Sequence, residues 1–368
     1  MNFREILATG QLEAWAKYKE KSRKEHKLTY LFWECTLNCN FFCKHCGSSA
    51  GRKFFNDELA TNEIKKVFED IAKTYDPKEI MVAITGGEPL LRPDLFDVMN
   101  FAHKLGFPWG MVTNGFLVTK DKITEMKKAG MSSVVVSIDG INEIHDEFRN
   151  TPGAYEKAMQ AVRLMKEADF LKVIQITTSL HQKAFPHLEK MYEVFKQSGA
   201  NSWRIMNIDP IGRAENNTEI LLTDKQLRGL LEFIKEKRKK IDKNFEVVYG
   251  CAGFLGTEFE GKVRPWLFNC NTGISTASIL HNGDIFVCPN VPRQPELIQG
   301  NVKKDNFVKI WENKFEHFRN PARTKCQKCI DCDSWDYCLG NSFHLWDFNK
   351  NQPKFCHLER IKPEINEK

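Results

Sequence analysis

Three cysteines within eight residues constrain this chain more than any other feature. Cys39, Cys43 and Cys46 occupy the stretch C-N-F-F-C-K-H-C, a C-x3-C-x2-C loop. Four thiolates complete the shell of a four-iron cluster or of a structural zinc. Three packed this tightly leave one metal position open, which makes a reactive site rather than a staple. The competing reading is a zinc knuckle that borrows a distant fourth ligand. The loop directly follows an apolar run, Leu28–Trp33, so it sits where a first strand ends.

From Leu28 to about Ala214 short apolar runs alternate with longer amphipathic stretches. The runs are Leu28–Trp33, Ile80–Ile84, Phe107–Val112, Ser132–Ser137, Val173–Thr178 and Ser202–Ile208. Helical periods lie between them, at Thr61–Tyr75, Pro93–Leu105, Lys120–Ala129, Ala154–Ala168 and Pro186–Gly199. Strand and helix alternating at this rhythm give βαβ units and a parallel sheet. Six strands counted this way predict an α/β fold, a partial (β/α)6 TIM-like barrel, with reactive groups at the carboxyl ends of its strands. Residues 1–27 read as one amphipathic helix that covers an end of the barrel. The lysine-rich stretch Thr223–Lys243 reads as the helix that closes it. From about Phe245 strands shorten, turns multiply and eight of the twelve cysteines appear. His281-Asn282-Gly283-Asp284, between apolar pairs, is a hairpin signal, because Asn-Gly tolerates the positive φ of a tight turn. The expected organisation is therefore 1–27, 28–244 and 245–368.

Composition removes several function classes. A net charge of +6 with no long basic run interleaved with aromatics gives no nucleic-acid footprint. The run Lys235-Glu236-Lys237-Arg238-Lys239-Lys240 reads as one solvated helix face. No stretch is apolar for the length of a membrane span, and Met1 to Glu5 have no signal-peptide core. A cytoplasmic chain is expected. Twelve cysteines in such a chain argue for metal rather than disulfides.

Several strand ends carry polar or glycine-rich groups. Thr85-Gly86-Gly87-Glu88-Pro89 ends the second run; its glycines permit close backbone approach and Glu88 can accept from an ammonium group. Asn114, Ser137, Asp139 and Ser179 end the next three, and Gly212 follows the sixth. Taken singly, a Ser or Thr there is as readily a cap for the next helix. Arg149 offers a planar fork that suits a carboxylate. Cys35 lies inside or just after the first strand and reads as a small core residue.

Taken together, these motifs resemble the radical S-adenosylmethionine (SAM) enzymes, over roughly residues 28–360. The resemblance implies that Cys39, Cys43 and Cys46 hold a [4Fe–4S] cluster. The methionyl group of SAM would chelate its open iron, and one electron would cleave the sulfonium to a 5′-deoxyadenosyl radical. It implies a cofactor pocket of Thr85, Gly86, Gly87, Glu88, Asn114, Ser137, Asp139, Arg149, Ser179 and Gly212. Within it Glu88 meets the amino group, Ser137 and Asp139 meet the ribose, and Arg149 meets the carboxylate. His45 would pack on the adenine or the cluster.

The C-terminal cysteines resemble the SPASM extension of that family, an α+β unit that normally holds two auxiliary [4Fe–4S] clusters. On this resemblance Cys329, Cys332, Cys338 and Cys356 form the outer cluster. Cys270 and Cys288 belong to the inner one, with Cys251 as third ligand. The chain departs from the pattern at Ser342, where a cysteine is usual. Three outcomes follow: an open iron, ligation by Cys326, or a serine oxygen. Pro289 stands where the sulfatase-maturing members place an aspartate base. The stretch from Cys338 to Asp347 resembles a SPASM subgroup encoded beside small lipoproteins. The resemblance implies an oxidoreductase acting on a peptide or protein side chain, fed by a reduced flavodoxin- or ferredoxin-type donor. A small-molecule dehydrogenase and a non-catalytic metal protein are the alternatives.

Overall fold

The computed structural model describes residues 3–52, 57–240, 242–251 and 253–362. Eight parallel strands form its centre. β1 (Tyr30–Thr36), β2 (Met81–Gly86), β3 (Trp109–Thr113), β4 (Ser133–Ser137), β5 (Val173–Leu180) and β6 (Ser202–Asn207) run side by side in chain order. β7 (Glu246–Tyr249) continues the sheet beside β6, and β8 (Thr276–Ile279) lies parallel to β1 on the opposite flank. The antiparallel hairpin partners β9 (Asp284–Phe286) and β10 (Gly300–Asn301) follow outside β8. Among the described residues no ladder joins β7 to β10, so the barrel is partial.

Alternation in β1 shows how the strands divide two environments. Leu31, Trp33 and Cys35 are fully buried on the helix side. Cys35 belongs to the main apolar core, as its small size predicts, and its carbonyl accepts from Arg92 at 2.8 Å. The crossover helices are α2 (Thr61–Ala72), α3 (Leu95–Leu105), α4 (Lys120–Lys128), α5 (Glu143–Arg149), α6 (Ala154–Glu167), α7 (Leu188–Gln197) and α8 (Asp224–Lys239). Each buries one stripe, such as Ile64, Val67, Phe68 and Ile71 in α2. Thr223 opens α8 as a capping residue, accepting from Gln226 N at 3.2 Å.

Two expectations change. The strand count of six becomes seven, because the lysine-rich helix leads into β7 at the start of the segment expected from 245 onward, a run of four residues too short to stand out from the irregular sequence after it. The N-terminal helix (Phe3–Glu25), expected to cover a barrel end, packs through its described side chains elsewhere. Its buried stripe lies on the C-terminal segment, with Leu12 packed against Phe254 and Phe268 and Trp15 Nε1 donating to Phe268 O at 2.8 Å.

Candidate functional site

The carboxyl ends of β1 to β6 converge on a cavity of about 230 Å³. Cys39, Cys43 and Cys46 line one wall, from the loop after β1. Thr85, Gly86 and Gly87 line it from β2, Asn114 from β3, Ser137 from β4, Ser179 from β5 and Arg149 from the end of α5. The fold thus brings residues spread over more than a hundred positions to one hollow.

Three residues assigned to the pocket lie beside it instead. Glu88 is fully buried beneath the β3 end; its carboxylate accepts from Thr113 Oγ1 at 2.8 Å, Asn114 N at 2.8 Å and Leu90 N at 3.2 Å. Burial raises it to about 7 against those hydrogen bonds. Asp139 is also fully buried, accepting from Arg149 Nε at 2.6 Å and Ser179 N at 2.8 Å. Burial opposes its charge most strongly, yet Arg149, the neighbouring His45 and His145 and the Ser179 N–H together outweigh it, and the carboxyl falls to about 2. Arg149 also reaches Cys43 Sγ, at 3.7 Å. Gly212 packs on the cysteine loop itself: with φ at +56°, a Cβ there would overlap the Cys46 and Gly47 carbonyl oxygens. Gly87 is similarly close to Asn38 O, so the glycines of β2 first serve the loop's approach to the strand. Gly87 N donates to Thr36 O at 2.7 Å and Glu88 N to Asn38 O at 2.9 Å.

Arg213 had no role assigned from sequence, yet it clamps the cysteine loop. Its Nε donates to Cys43 O at 2.7 Å, its Nη1 to Ala50 O at 2.8 Å and its backbone N to Cys46 O at 3.1 Å. His45 stacks on Phe148 at 4.5 Å, and Phe148 on His181 at 4.0 Å. Burial pushes His45 down to about 3 and His181 to about 4, so both rings are neutral.

A larger cavity of about 510 Å³ adjoins the first, sharing Gly47, Ser48 and Asn290 with it. Ile211, Arg293, Trp346 and Phe348 contribute to its walls. Both basic residues among the described ones on its walls are ion-paired: Arg293 with the buried Glu34, and Lys354 with Glu215 at 3.1 Å. Near Ile211 and Trp346, His344 Nε2 meets Asp209 Oδ2 at 3.0 Å, and Asn207 Nδ2 donates to Asp209 Oδ1 at 2.6 Å. His344 lies in the stretch Cys338 to Asp347, but no sequence motif pointed to Asp209 as its partner.

None of the twelve cysteines forms a disulfide. Four of the C-terminal ones, Cys329, Cys332, Cys338 and Cys356, line one cavity of about 490 Å³. Cys326 joins this set, with its Sγ 3.6 Å from Cys329 Sγ. That places Cys326 with the outer group and removes it as the inner site's fourth ligand. Cys251, Cys270 and Cys288 form a second group. Although part of Cys251 reaches the surface, dense surroundings push its thiol up to about 12, and Cys270 and Cys288 add to the shift. Burial likewise raises Cys288 and Cys329 to about 12 and Cys338 to about 11. Ser342 is fully buried.

Among the described residues no three His, Cys, Asp or Glu side chains stand in position for a single metal ion. The fit to iron–sulfur clusters rests on the donor sets. Buried thiols crowded together are poor acids on their own, and a metal that takes the thiolate relieves that cost. The three groups hold three, three and five thiols, and the first faces a hollow with a polar lining from four strands, β2 to β5.

Residues 33–194 match the model of the radical SAM superfamily, and residues 270–333 match that of SPASM, an iron–sulfur cluster-binding domain. The AdoMet-dependent heme synthase of Methanosarcina barkeri is 29% identical over 84% of this chain and 89% of its own length. The mycofactocin maturase MftC of Mycobacterium tuberculosis is 28% identical over 84% and 77%. Among solved structures, Streptococcus suis SuiB bound to S-adenosylmethionine superposes with a TM-score of 0.68 at 16% identity, over 86% of this chain and 74% of that one. The enzyme anSMEcpe with bound AdoMet gives 0.66 at 18% identity, over 87% and 90%.

Proposed function

The chain is a radical SAM enzyme with a C-terminal SPASM domain, and from that premise we propose that it oxidises a peptide or protein side chain. Its cofactors are a [4Fe–4S] cluster, SAM and auxiliary iron–sulfur clusters. When bound, they supply a strong hydrogen-abstracting species and a nearby electron acceptor.

Cys39, Cys43 and Cys46 would hold the first cluster. The cavity walls at Thr85–Gly87, Asn114, Ser137, Ser179 and Arg149 would hold the nucleoside and methionyl parts of SAM. Glu88 and Asp139 act one layer back: Glu88 fixes Thr113 and Asn114, and Asp139 fixes Arg149 and Ser179. Arg213 holds the cysteine loop in register against these strand ends. Cys329, Cys332, Cys338 and Cys356, with Cys326 beside them, would hold an outer auxiliary cluster, and Cys251, Cys270 and Cys288 an inner one with an open or Ser342-ligated iron.

Net oxidation of a C–H bond also releases a proton, and Pro289 cannot accept it. His344 can. The Asp209 carboxylate only accepts, so a neutral His344 donates Nε2–H to it and keeps the lone pair on Nδ1. Asp209 and His344 each stand two residues along the chain from a wall residue of the larger cavity, Ile211 and Trp346, and on that placement we assign the proton to His344.

The observation that carries the peptide reading is the charge balance of that cavity. Both of its basic residues are already neutralised, and Asp347 adds an acid. Among the described residues a substrate bearing several carboxylates finds no spare cation there, whereas a peptide segment needs none. The second reading, a carboxylate-bearing tetrapyrrole, draws on the relatives named heme synthases. A reduced flavodoxin- or ferredoxin-type protein is the proposed donor. Among the described residues no helix is long and apolar enough to cross a membrane, and a cytoplasmic setting is part of the same proposal.

The test is anaerobic incubation of reconstituted protein with SAM, reductant and the short peptides encoded beside its gene, synthesised with deuterated side chains. Deuterium in the recovered 5′-deoxyadenosine and a peptide lighter by two hydrogens are expected. No transfer from any of these peptides, with tight binding of iron coproporphyrin seen in its absorption spectrum, would favour the second reading.

A further inference from the structure

The stripe of the N-terminal helix that faces the SPASM segment contains two cations, Lys19 buried and Arg23 partly buried, where apolar residues would pack more cheaply. Leu12 and Trp15 are followed, one and two turns on, by Lys19 and Arg23. Lys19 is 1% exposed, and its Nζ donates to Tyr337 O at 2.5 Å. Cys338 follows Tyr337 directly and is among the charges that Lys19 faces, as are Glu260 and Asp336. Glu260 is already bonded to Arg264, at 2.5 Å. Arg23 has a buried Nη1 without a hydrogen-bond partner. Both cations line one small hollow, of about 30 Å³, together with Cys270 and Cys338.

That hollow joins the two cysteine groups of the SPASM segment. Cys270 belongs to the inner set and Cys338 to the outer. Burying a lysine or arginine costs several kcal/mol unless an opposite charge answers it. The apolar stripe alone would dock the helix, so the cations ask for a partner. A thiolate-bound iron–sulfur cluster on either side carries the negative charge that answers them.

We propose that Lys19 and Arg23 are tuning residues that raise the reduction potentials of the two auxiliary clusters flanking them. A fixed positive charge favours the more negative, reduced form of a cluster by Coulomb attraction, most strongly where water is excluded. The helix docked on the SPASM segment is then part of the electron-accepting machinery. The inference rests on the assignment of auxiliary clusters to the two cysteine groups.

The experiment uses the full-length chain with Cys39, Cys43 and Cys46 replaced by alanine and reconstituted anaerobically, so that only auxiliary clusters report. Iron content is measured first; four or fewer irons per chain would sink the cluster assignment itself (about eight are expected for two four-iron clusters), separately from the tuning claim. Reductive titrations followed by electron paramagnetic resonance then compare this background with added Lys19→Met, Lys19→Arg and Arg23→Met. The expected result is a more negative midpoint for at least one auxiliary signal in Lys19→Met and Arg23→Met, with Lys19→Arg restoring the parental value. Unchanged midpoints in both methionine variants would overturn the proposal. So would loss of iron from both methionine variants, which would make the cations structural.

Discussion

At Glu88, burial and hydrogen bonding pull in opposite directions. Three donors favour its carboxylate, yet removal from water wins and leaves it near 7. A carboxyl raised in the folded state contributes stability that is fully present below its ordinary value of 4.5 and is lost as pH rises through about 7. The shift corresponds to about 3 kcal/mol. Glu88→Gln cannot ionise, though it gives up one accepted hydrogen bond. It should therefore be less stable than wild type at pH 5, with the gap narrowing by pH 8; a urea midpoint difference that is equal at both pH values would contradict this. Arg149 presents the opposite case, a cation that keeps a buried carboxylate charged. Arg149→Met leaves Asp139 fully buried and unpaired and should cost about 3–5 kcal/mol in urea unfolding of the metal-free protein. A loss under 1 kcal/mol would mean that Asp139 finds another partner. Sequence alone placed Glu88 and Asp139 in the pocket because they sit at strand ends. It had no means of telling a wall residue from one a layer behind, since that depends on how the β3 and β5 ends bend toward them.

The loop and its strand ends act as one element. Gly87 and Gly212 are small because backbone carbonyls of residues 38, 46 and 47 occupy the space a side chain would need. Gly87→Ala or Gly212→Ala should displace the cysteine loop, lowering 5′-deoxyadenosine formation at least about ten-fold, equivalent to about 1.4 kcal/mol, while the iron of the SPASM segment stays. Loss of iron from both regions would instead point to a general folding defect. The strand-helix rhythm from β1 to β6 was legible because each run is apolar and each intervening helix has a 3.6-residue period. β7 was not, being four residues long, and neither was the docking site of the N-terminal helix. Its stripe mixes Leu12 and Trp15 with Lys19 and Arg23, and such a pattern names no partner surface. Arg213 and the His344–Asp209 pair were missed for the same reason: their partners lie more than a hundred residues away in sequence.

Across the whole molecule, one parallel sheet links the two functional regions. β8 comes from the cysteine-rich segment yet pairs with β1, the strand that launches the first cysteine loop. The auxiliary sites are therefore tied to the barrel by main-chain hydrogen bonds. The cysteine spacings made both regions legible in outline, but the grouping of Cys326 with Cys329 needed the fold. The most direct test of the account is a paired measurement on wild type and the Cys39→Ala/Cys43→Ala/Cys46→Ala variant, each reconstituted anaerobically with SAM and reductant. Wild type should hold about twelve irons per chain and release 5′-deoxyadenosine, and the variant should keep about eight irons and release none. 5′-Deoxyadenosine formed by the variant at the wild-type rate would contradict the account.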